Sequence, residues 1–362
     1  MTRLDLKMTA VALLTGAIAV AAQQPATDTP PDQLLLKDYR PQSIYRIPQT
    51  DVRKAKFPVI DVHSHVYVKD AAGVEAWLRT KDDVGIDKTI VMASGAGARF
   101  HTAMALFGKH PERFEVWTGL DLSGADQPDF PARAVAELER AVRAGARGVG
   151  ELSDKGGGLR GSGGMHVDDA RMDPLFEKMA DLGIPVNIHV AEDRWMYEPM
   201  DGTNDGLMNA SKWRVTPGPT VLGHEEVIAT LERAVKKHPR TTFIACHFAN
   251  TTFDLSMLAR MFDAYPNLYA DIAARFGETA PIPRYMQAFY AKYQDRLLYG
   301  TDMGTSPDMY RSTFRILEST DEHFYLETLR LYHWPYHGFG LPDEILRKVY
   351  RENALKILAR QP

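Results

Sequence analysis

Eight short runs rich in β-branched and aromatic residues alternate with amphipathic stretches along this chain, and that alternation constrains its fold more than any other feature. The runs are FPVIDVHSH (57–65), KTIVMAS (88–94), FEVWTGLDL (114–122), ARGVGELS (146–153), PVNIHVAE (185–192), TTFIACHFA (241–249), NLYADIAAR (267–275) and LLYGTDMG (297–304). Between them, segments such as FPARAVAELERAVRAG, DPLFEKMADLG, EEVIATLERAVKKHP and DLSMLARMFDAYP repeat apolar residues at three- and four-residue spacing, the period of a helix with one buried face. Gly145, Gly183, Pro239 and Pro266 stand where such helices should stop. Strands separated by helical crossovers imply parallel pairing. Eight of them close naturally into a TIM (β/α)8 barrel, whereas an open doubly wound sheet would show fewer strands and a glycine-rich first turn.

The ends of the chain follow different rules. Arg3 and Lys7 precede an apolar run, Met8 to Ala22, rich in small residues and shorter than the roughly 20 residues that span a bilayer. That is the layout of a signal peptide over residues 1–22, with cleavage near Ala21 or Ala22. It predicts a periplasmic or secreted bacterial protein, free of the membrane after cleavage. The single cysteine, Cys246, allows no intrachain disulfide, which fits a periplasm better than an animal secretory route. Residues 23–34 are polar and proline-rich, so residues 23–56 read as leader and barrel lead-in and 57–362 as the barrel domain. A formal net charge of -4 on 362 residues gives no sustained attraction to nucleic acid or an anionic surface, so the expected partner is a small molecule. A homo-oligomer is compatible with everything above.

His63 and His65 stand two apart in a strand, so their side chains point the same way. An isolated HxH says little. Here, however, His189, His247 and Asp302 fall at the ends of the fifth, sixth and eighth runs, and Glu151 on the fourth. In a barrel those ends converge on one axial pocket, where histidines and carboxylates together suit a borderline divalent cation.

These elements, IDVHSH, GELSD, VNIHVAE, FIACHFAN and YGTDMG, with the tail YRENALKIL, resemble the amidohydrolase superfamily. The resemblance is to its second large branch, which contains hydrolases and metal-dependent decarboxylases, and it runs from Phe57 to Leu358. It implies that His63, His65, His189 and Asp302 bind one catalytic metal, with His247 beside it to polarise the scissile or departing group. Binuclear members carry a carbamylated lysine or a carboxylate on strand four that bridges two ions. Glu151 is the matching carboxylate, and His189 and His247 would then hold the second ion. Strand four offers no lysine before Lys155, so one ion and two remain open. Zn²⁺ is the first expectation, and Mn²⁺ or Fe²⁺ suits the same donors.

The expected chemistry is hydrolysis of an ester, lactone, amide or similar bond. Asp302 would take a proton from a metal-activated water, and the metal, His247 or both would stabilise the developing oxyanion. The alternative is decarboxylation of an aromatic or unsaturated acid. A binding barrel with a structural metal is a third reading, disfavoured because a carboxylate base and an extra histidine exceed what a closed structural site needs.

Two long loops, at 154–169 and 193–223, should emerge on the face that carries the pocket, and a third, aromatic-rich insertion follows the eighth run at about 305–340. The first is glycine-rich, lacks the GK[ST] ending of a phosphate loop, and reads as a mobile lid. In the second, Arg194 could clamp a substrate carboxylate and Trp195 stack on a ring, or the pair could be a solvated arginine beside a core tryptophan. Arg275, ending the seventh run, is a comparable substrate candidate. Asp61 and Asp271 read as partners orienting histidine ligands or as strand-end hydrogen bonders. His110 and His238 read as helix caps and His224 as structural, while His101 and His166 could border the pocket.

Overall fold

The computed structural model describes residues 29–216, 218–329 and 331–359. The predicted signal peptide therefore lies outside the described residues. Residues 29–39 form a short unit of their own with two single turns, Pro31–Gln33 and Leu36–Asp38. The rest of the chain is one compact unit. No described helix is long and apolar enough to cross a membrane.

All eight expected strands form: β1 (Val59–His65), β2 (Ile86–Met92), β3 (Phe114–Trp117), β4 (Val149–Asp154), β5 (Val186–Val190), β6 (Phe243–Ala245), β7 (Leu268–Asp271) and β8 (Leu297–Leu298). Helices α1 (Ala71–Val84), α2 (Ala98–Phe107), α3 (Phe130–Arg143) and α4 (Asp173–Asp181) follow the first four strands. Then come α5 (Leu207–Trp213), α6 (His224–Lys237), α7 (Ser256–Ala264), α8 (Phe276–Thr279), α9 (Pro283–Tyr293) and α10 (Pro307–Glu318). Short helices α11 (Asp343–Arg347) and α12 (Asn353–Leu358) end the chain.

Parallel ladders join β1-β2-β3 and β4-β5-β6-β7-β8. Two seams close the ring. Thr118 pairs with Val149, and its N–H donates to Gly148 O at 3.0 Å, linking β3 to β4. Val62 N–H donates to Tyr299 O and Asp302 N–H to His63 O, both at 2.9 Å, linking β1 to the residues following β8. The TIM barrel read from the alternation is the observed fold. Ile60, Val62, Ile90, Met92, Trp117, Ile244, Tyr269 and Leu298 meet in one cluster with Ala354 and Ile357 of α12. Side chains of strands as far apart in the ring as β3 and β6 meet only across a barrel interior.

β2, β5, β6, β7 and β8 stop short of the ends of their sequence runs, each before a residue of left-handed backbone. Ser94, Ala191, His247, Phe248, Ala249, Asn250, Ala274 and Asp302 adopt left-handed backbone, with φ between 51° and 60°. Such residues cannot continue a ladder. His247 and Asp302, expected at strand ends, thus stand just beyond β6 and β8. The 305–340 insertion is likewise not all loop: its first part is α10, an amphipathic barrel helix. The lead-in, though without helix or strand from 40 to 58, is tied down where Thr50 N–H donates to Asp321 at 2.8 Å and Lys56 N–H to Glu318 at 3.0 Å.

Candidate metal centre

At the C-terminal ends of the strands lies a cavity of about 440 Å³ whose floor includes Glu151, His189, His247 and Asp302. β1 delivers His63 and His65 beside them. His63 Nε2 lies 3.8 Å from both Glu151 Oε1 and Asp302 Oδ2, and His65 Nε2 lies 3.2 Å from Asp302 Oδ1. The donor atoms of His63, His65 and Asp302 all fall within 4.8 Å of one another. A second such group joins His63, Glu151, His247 and Cys246. The cysteine was not foreseen, and it is no ligand here: its Sγ donates to Asn187 Oδ1 at 2.6 Å, and burial pushes its thiol well above the usual value. His189 belongs to neither group, and its Nδ1 faces Glu151 Oε1 at 2.7 Å.

Buried partners fix which nitrogen each imidazole offers. His63 Nδ1–H donates to Asp271 Oδ2 at 2.9 Å, and His247 Nδ1–H donates to the Ala273 carbonyl at 2.8 Å. Both acceptors lack a proton, so Nδ1 carries a hydrogen in each ring and Nε2 is the atom left facing the carboxylates, free to bind a cation once any proton on it is displaced. His63 Nε2 and His189 Nε2 are buried atoms with no hydrogen-bond partner among the described residues. The His63 atom faces Glu151 and Asp302, while His189 turns Nδ1 to Glu151 and leaves Nε2 3.7 Å from Glu192 Oε2; imidazole nitrogens gathered around Glu151 and Asp302 fit a divalent cation.

The electrostatics agree. Burial disfavours a charged His63, yet Asp271 and Asp302 outweigh it and push the ring up to about 10. Burial likewise opposes protonation of His189, and Glu151 raises it to about 9. Against the opposing effect of burial, His189, His247 and His63 hold Glu151 well down, and His63, His65 and His247 do the same for Asp302. The centre thus gathers positive charge as protons, the charge a cation supplies when it displaces them.

Asp271 holds the His63 ring, whereas Asp61 is a hydrogen bonder between strand ends that touches no imidazole. Asp61 accepts from His63 N–H at 3.2 Å, Thr301 N–H at 3.0 Å and the Thr301 hydroxyl at 2.7 Å, pinning β1 to the segment that carries Asp302. Tyr67, which sequence reading missed, donates its hydroxyl to Asp302 Oδ1 at 3.0 Å. Its place two residues after His65, continuing the 63, 65, 67 alternation, was the available signal.

The substrate candidates fare unevenly. Arg275 borders the cavity, buried against Asp193 at 2.9 Å. Arg194 instead pairs with Glu198 at 2.6 Å and lies 3.7 Å from Glu225. Trp195 packs beside Trp334, ring centroids 5.8 Å apart, and Trp334 stacks on Tyr332 at 4.2 Å. Neither Arg194 nor Trp195 borders the cavity: Arg194 is taken up by Glu198 and Glu225, and Trp195 by Tyr332 and Trp334 of the insertion after β8. Lys155, Arg160, Glu192, Asn209, Trp213 and Glu278 border it instead.

Of the other histidines, His238 caps α6 and pairs with Glu177 at 2.9 Å, and His224 is buried with Nε2 3.0 Å from Asn250 O. His110 lies 3.7 Å from Glu75. His101 sits exposed on α2, and His166 faces Asp154 at 2.8 Å, so neither borders the cavity. The glycine-rich loop is anchored by Asp154 Oδ1, which accepts from Gly156 at 2.9 Å and Gly158 at 3.0 Å, and by buried Leu159, Met165 and Val167.

A closed (β/α)8 barrel with histidines and carboxylates gathered at the strand ends defines a metal-binding barrel enzyme. The amidohydrolase family profile matches residues 60–360, and the chain belongs to that family. Solved structures similar to it are TIM-barrel proteins at low identity. A TIM-barrel protein from Bordetella bronchiseptica aligns at 15% identity and TM-score 0.55, over 84% of this chain and 99% of that one. The 2,6-dihydroxybenzoate decarboxylase from Rhizobium gives 18%, 0.52, 84% and 99%. The 5-carboxyvanillate decarboxylase from Novosphingobium aromaticivorans, complexed with manganese, gives 16%, 0.51, 86% and 100%. No curated protein sequence matches the chain.

Proposed function

We propose that the protein is a metal-dependent hydrolase that cleaves an ester, lactone, amide or similar bond of a small molecule. One observation carries this reading: Glu151 stands between two histidine pairs. Its Oε1 lies 2.7 Å from His189 Nδ1 and 3.5 Å from His247 Nε2, while its Oε2 lies 3.7 Å from His65 Nε2. A carboxylate so placed would serve two ions, one that His63, His65 and Asp302 would hold and one that His189 and His247 would hold. A divalent metal so held supplies Lewis acidity, which can bring the pKa of bound water down to about 7.

The protein's own groups support the rest. His247 donates Nδ1–H to Ala273 O, and burial lowers its pKa, so the neutral ring offers a lone pair rather than a proton. A ring in that state suits a ligand better than a group polarising a departing atom. Asp302, ionised and steered by Tyr67 and His65, is placed to accept a proton and return it to a leaving group. Zn²⁺ is the preferred ion for this donor set, with Mn²⁺ and Fe²⁺ next. Arg3, Lys7 and the apolar run that follows support action in the periplasm or outside the cell.

Decarboxylation of an aromatic or unsaturated acid is the second reading, supported by the decarboxylases among the fold's relatives. Elemental analysis of wild type and Glu151→Gln separates them. About two metal equivalents in the wild type, falling to one or fewer in the variant, are expected of the Glu-shared hydrolase. A single equivalent untouched by Glu151→Gln overturns the two-ion centre and moves the assay to released CO₂. Asp302→Asn should fold and lose turnover on whichever substrate is found.

A further inference from the structure

Glu278, on α8, borders the same cavity but takes no part in the metal centre. Its side chain is nearly inaccessible, with the residue 4% exposed. Oε1 accepts from the Tyr332 hydroxyl at 2.6 Å, and that hydroxyl in turn accepts from Asn209 Nδ2 at 3.0 Å. Oε2 has no hydrogen-bond partner among the described residues. A buried ionised oxygen without a donor is far more costly than a buried hydroxyl in the same place.

The charges around it point the same way. Two cations, Lys155 and Arg275, face three carboxylates, Glu192, Asp193 and Glu278. Lys155 is paired with Glu192. Arg275 holds Asp193 at 2.9 Å and lies 3.8 Å from Glu192 and 3.7 Å from Glu278. Glu192 is also flanked by His189, whose Nε2 lies 3.7 Å away, so of the three carboxylates Glu278 is the one whose nearest cation is farthest and whose second oxygen has no donor, and it is the group left to carry a proton. Burial pushes Glu278 up, Arg275 opposes it and Asp193 reinforces it, to about 8. Burial also raises Glu192, but the nearby His189 and the charges of Lys155 and Arg275 bring it down to about 2.

We infer that Glu278 is a neutral carboxylic acid serving as a hydrogen-bond donor of the cavity, and that it recognises a carbonyl or carboxylate oxygen of the substrate. The inference rests on the reading of this cavity as the place where substrate binds. It makes Glu278 a specificity residue that accepts an oxygen acceptor while protonated and repels an anionic one after losing its proton. Nothing in the proposed metal chemistry requires this.

Difference infrared spectra of the metal-loaded wild type against Glu278→Gln test it directly, with benzoate as the probe. A protonated-carboxyl band should appear in the wild type at about pH 6, vanish by about pH 10, and shift when benzoate is added near neutrality. By calorimetry, benzoate binding to the wild type should weaken at least about tenfold between about pH 7 and about pH 10, against less than about threefold in Glu278→Gln. Tyr332→Phe, which keeps the acid and removes one hydrogen bond, should retain the band at a displaced frequency. An absent band at about pH 6, a band that saturating benzoate leaves unmoved, or equal weakening in both proteins overturns the inference. Metal content measured on the same samples reports on the two-ion centre independently, so either reading can fail alone.

Discussion

Asp271 accepts the Nδ1–H of His63 at 2.9 Å through one oxygen and the backbone N–H of His247 at 2.9 Å through the other. Asn187 Nδ2 and Ala273 N–H also donate to it, at 3.0 and 3.1 Å, so all four named partners are donors. An amide there must turn an NH₂ toward two donors. Asp271→Asn is therefore expected to weaken metal binding about 10–100-fold, the usual scale for losing a partner that orients a ligand. Competition against a chromogenic chelator measures it; unchanged affinity would show that the imidazoles are oriented by something else.

Gly300 follows β8 and lies against β1. A Cβ there would stand 2.8 Å from His63 Cβ, 3.3 Å from His63 N and 3.3 Å from Ala273 Cβ. Two strand backbones would have to part by several tenths of an ångström. Gly300→Ala is expected to cost about 1–3 kcal/mol by overpacking and to reduce metal affinity along with it. Urea unfolding and chelator competition on one preparation read the two effects, and a variant that loses stability but binds metal normally would place Gly300 outside the centre's support.

Lys81 is buried on α1, donating to the Arg113 carbonyl with its ammonium 3.9 Å from the centre of the Phe114 ring. Burial, and then the Arg113 charge, lower it to about 6, against about 10.4 in an unfolded chain. Between those values the unfolded chain binds a proton that the folded one does not. Lys81 therefore makes stability rise with pH across that window and fall as pH drops toward 6, below which its effect levels off. Lys81→Met should raise Tm near pH 7 and flatten this part of the profile. The Arg113 carbonyl keeps a donor, Thr89 N–H at 2.9 Å, so the exchange strands no acceptor. Thermal unfolding of both proteins from about pH 6 to about pH 10 checks it; parallel profiles would mean that Lys81 stays charged in the fold.

The barrel and the metal centre were legible in the sequence for one shared reason: both repeat with the strands. His63 and His65 declare a common side of β1 by spacing alone, and Glu151, His189, His247 and Asp302 each come within or just beyond the C-terminal part of the strand in their own βα unit. What was not legible depends on packing between units. Nothing in the local pattern shows that Trp195 joins Tyr332 and Trp334, more than a hundred residues away, or that Arg194 turns to Glu198. Glu278 belongs to no motif and acquires its surroundings from β7, the loop after β5, α5 and the β8 insertion together. The strand ends were overread because IACHFA and YGTDMG have the composition of strands, while their left-handed backbone is imposed by tertiary hydrogen bonds.

That left-handed backbone has a consequence for engineering. His247 and Asp302 sit at φ 60° and 51°, and Ala249 and Ala274 nearby at 55° and 53°, conformations that cost a non-glycine residue of order 1–3 kcal/mol each. Glycine at Ala249 or Ala274 would relax the chain where its geometry is least comfortable. The same relaxation would widen the positions His247 and Asp302 can occupy, trading ligand precision for thermostability. Screens for hardier variants of this barrel should therefore drift toward these turns, and should be counter-selected on metal retention rather than on melting temperature alone.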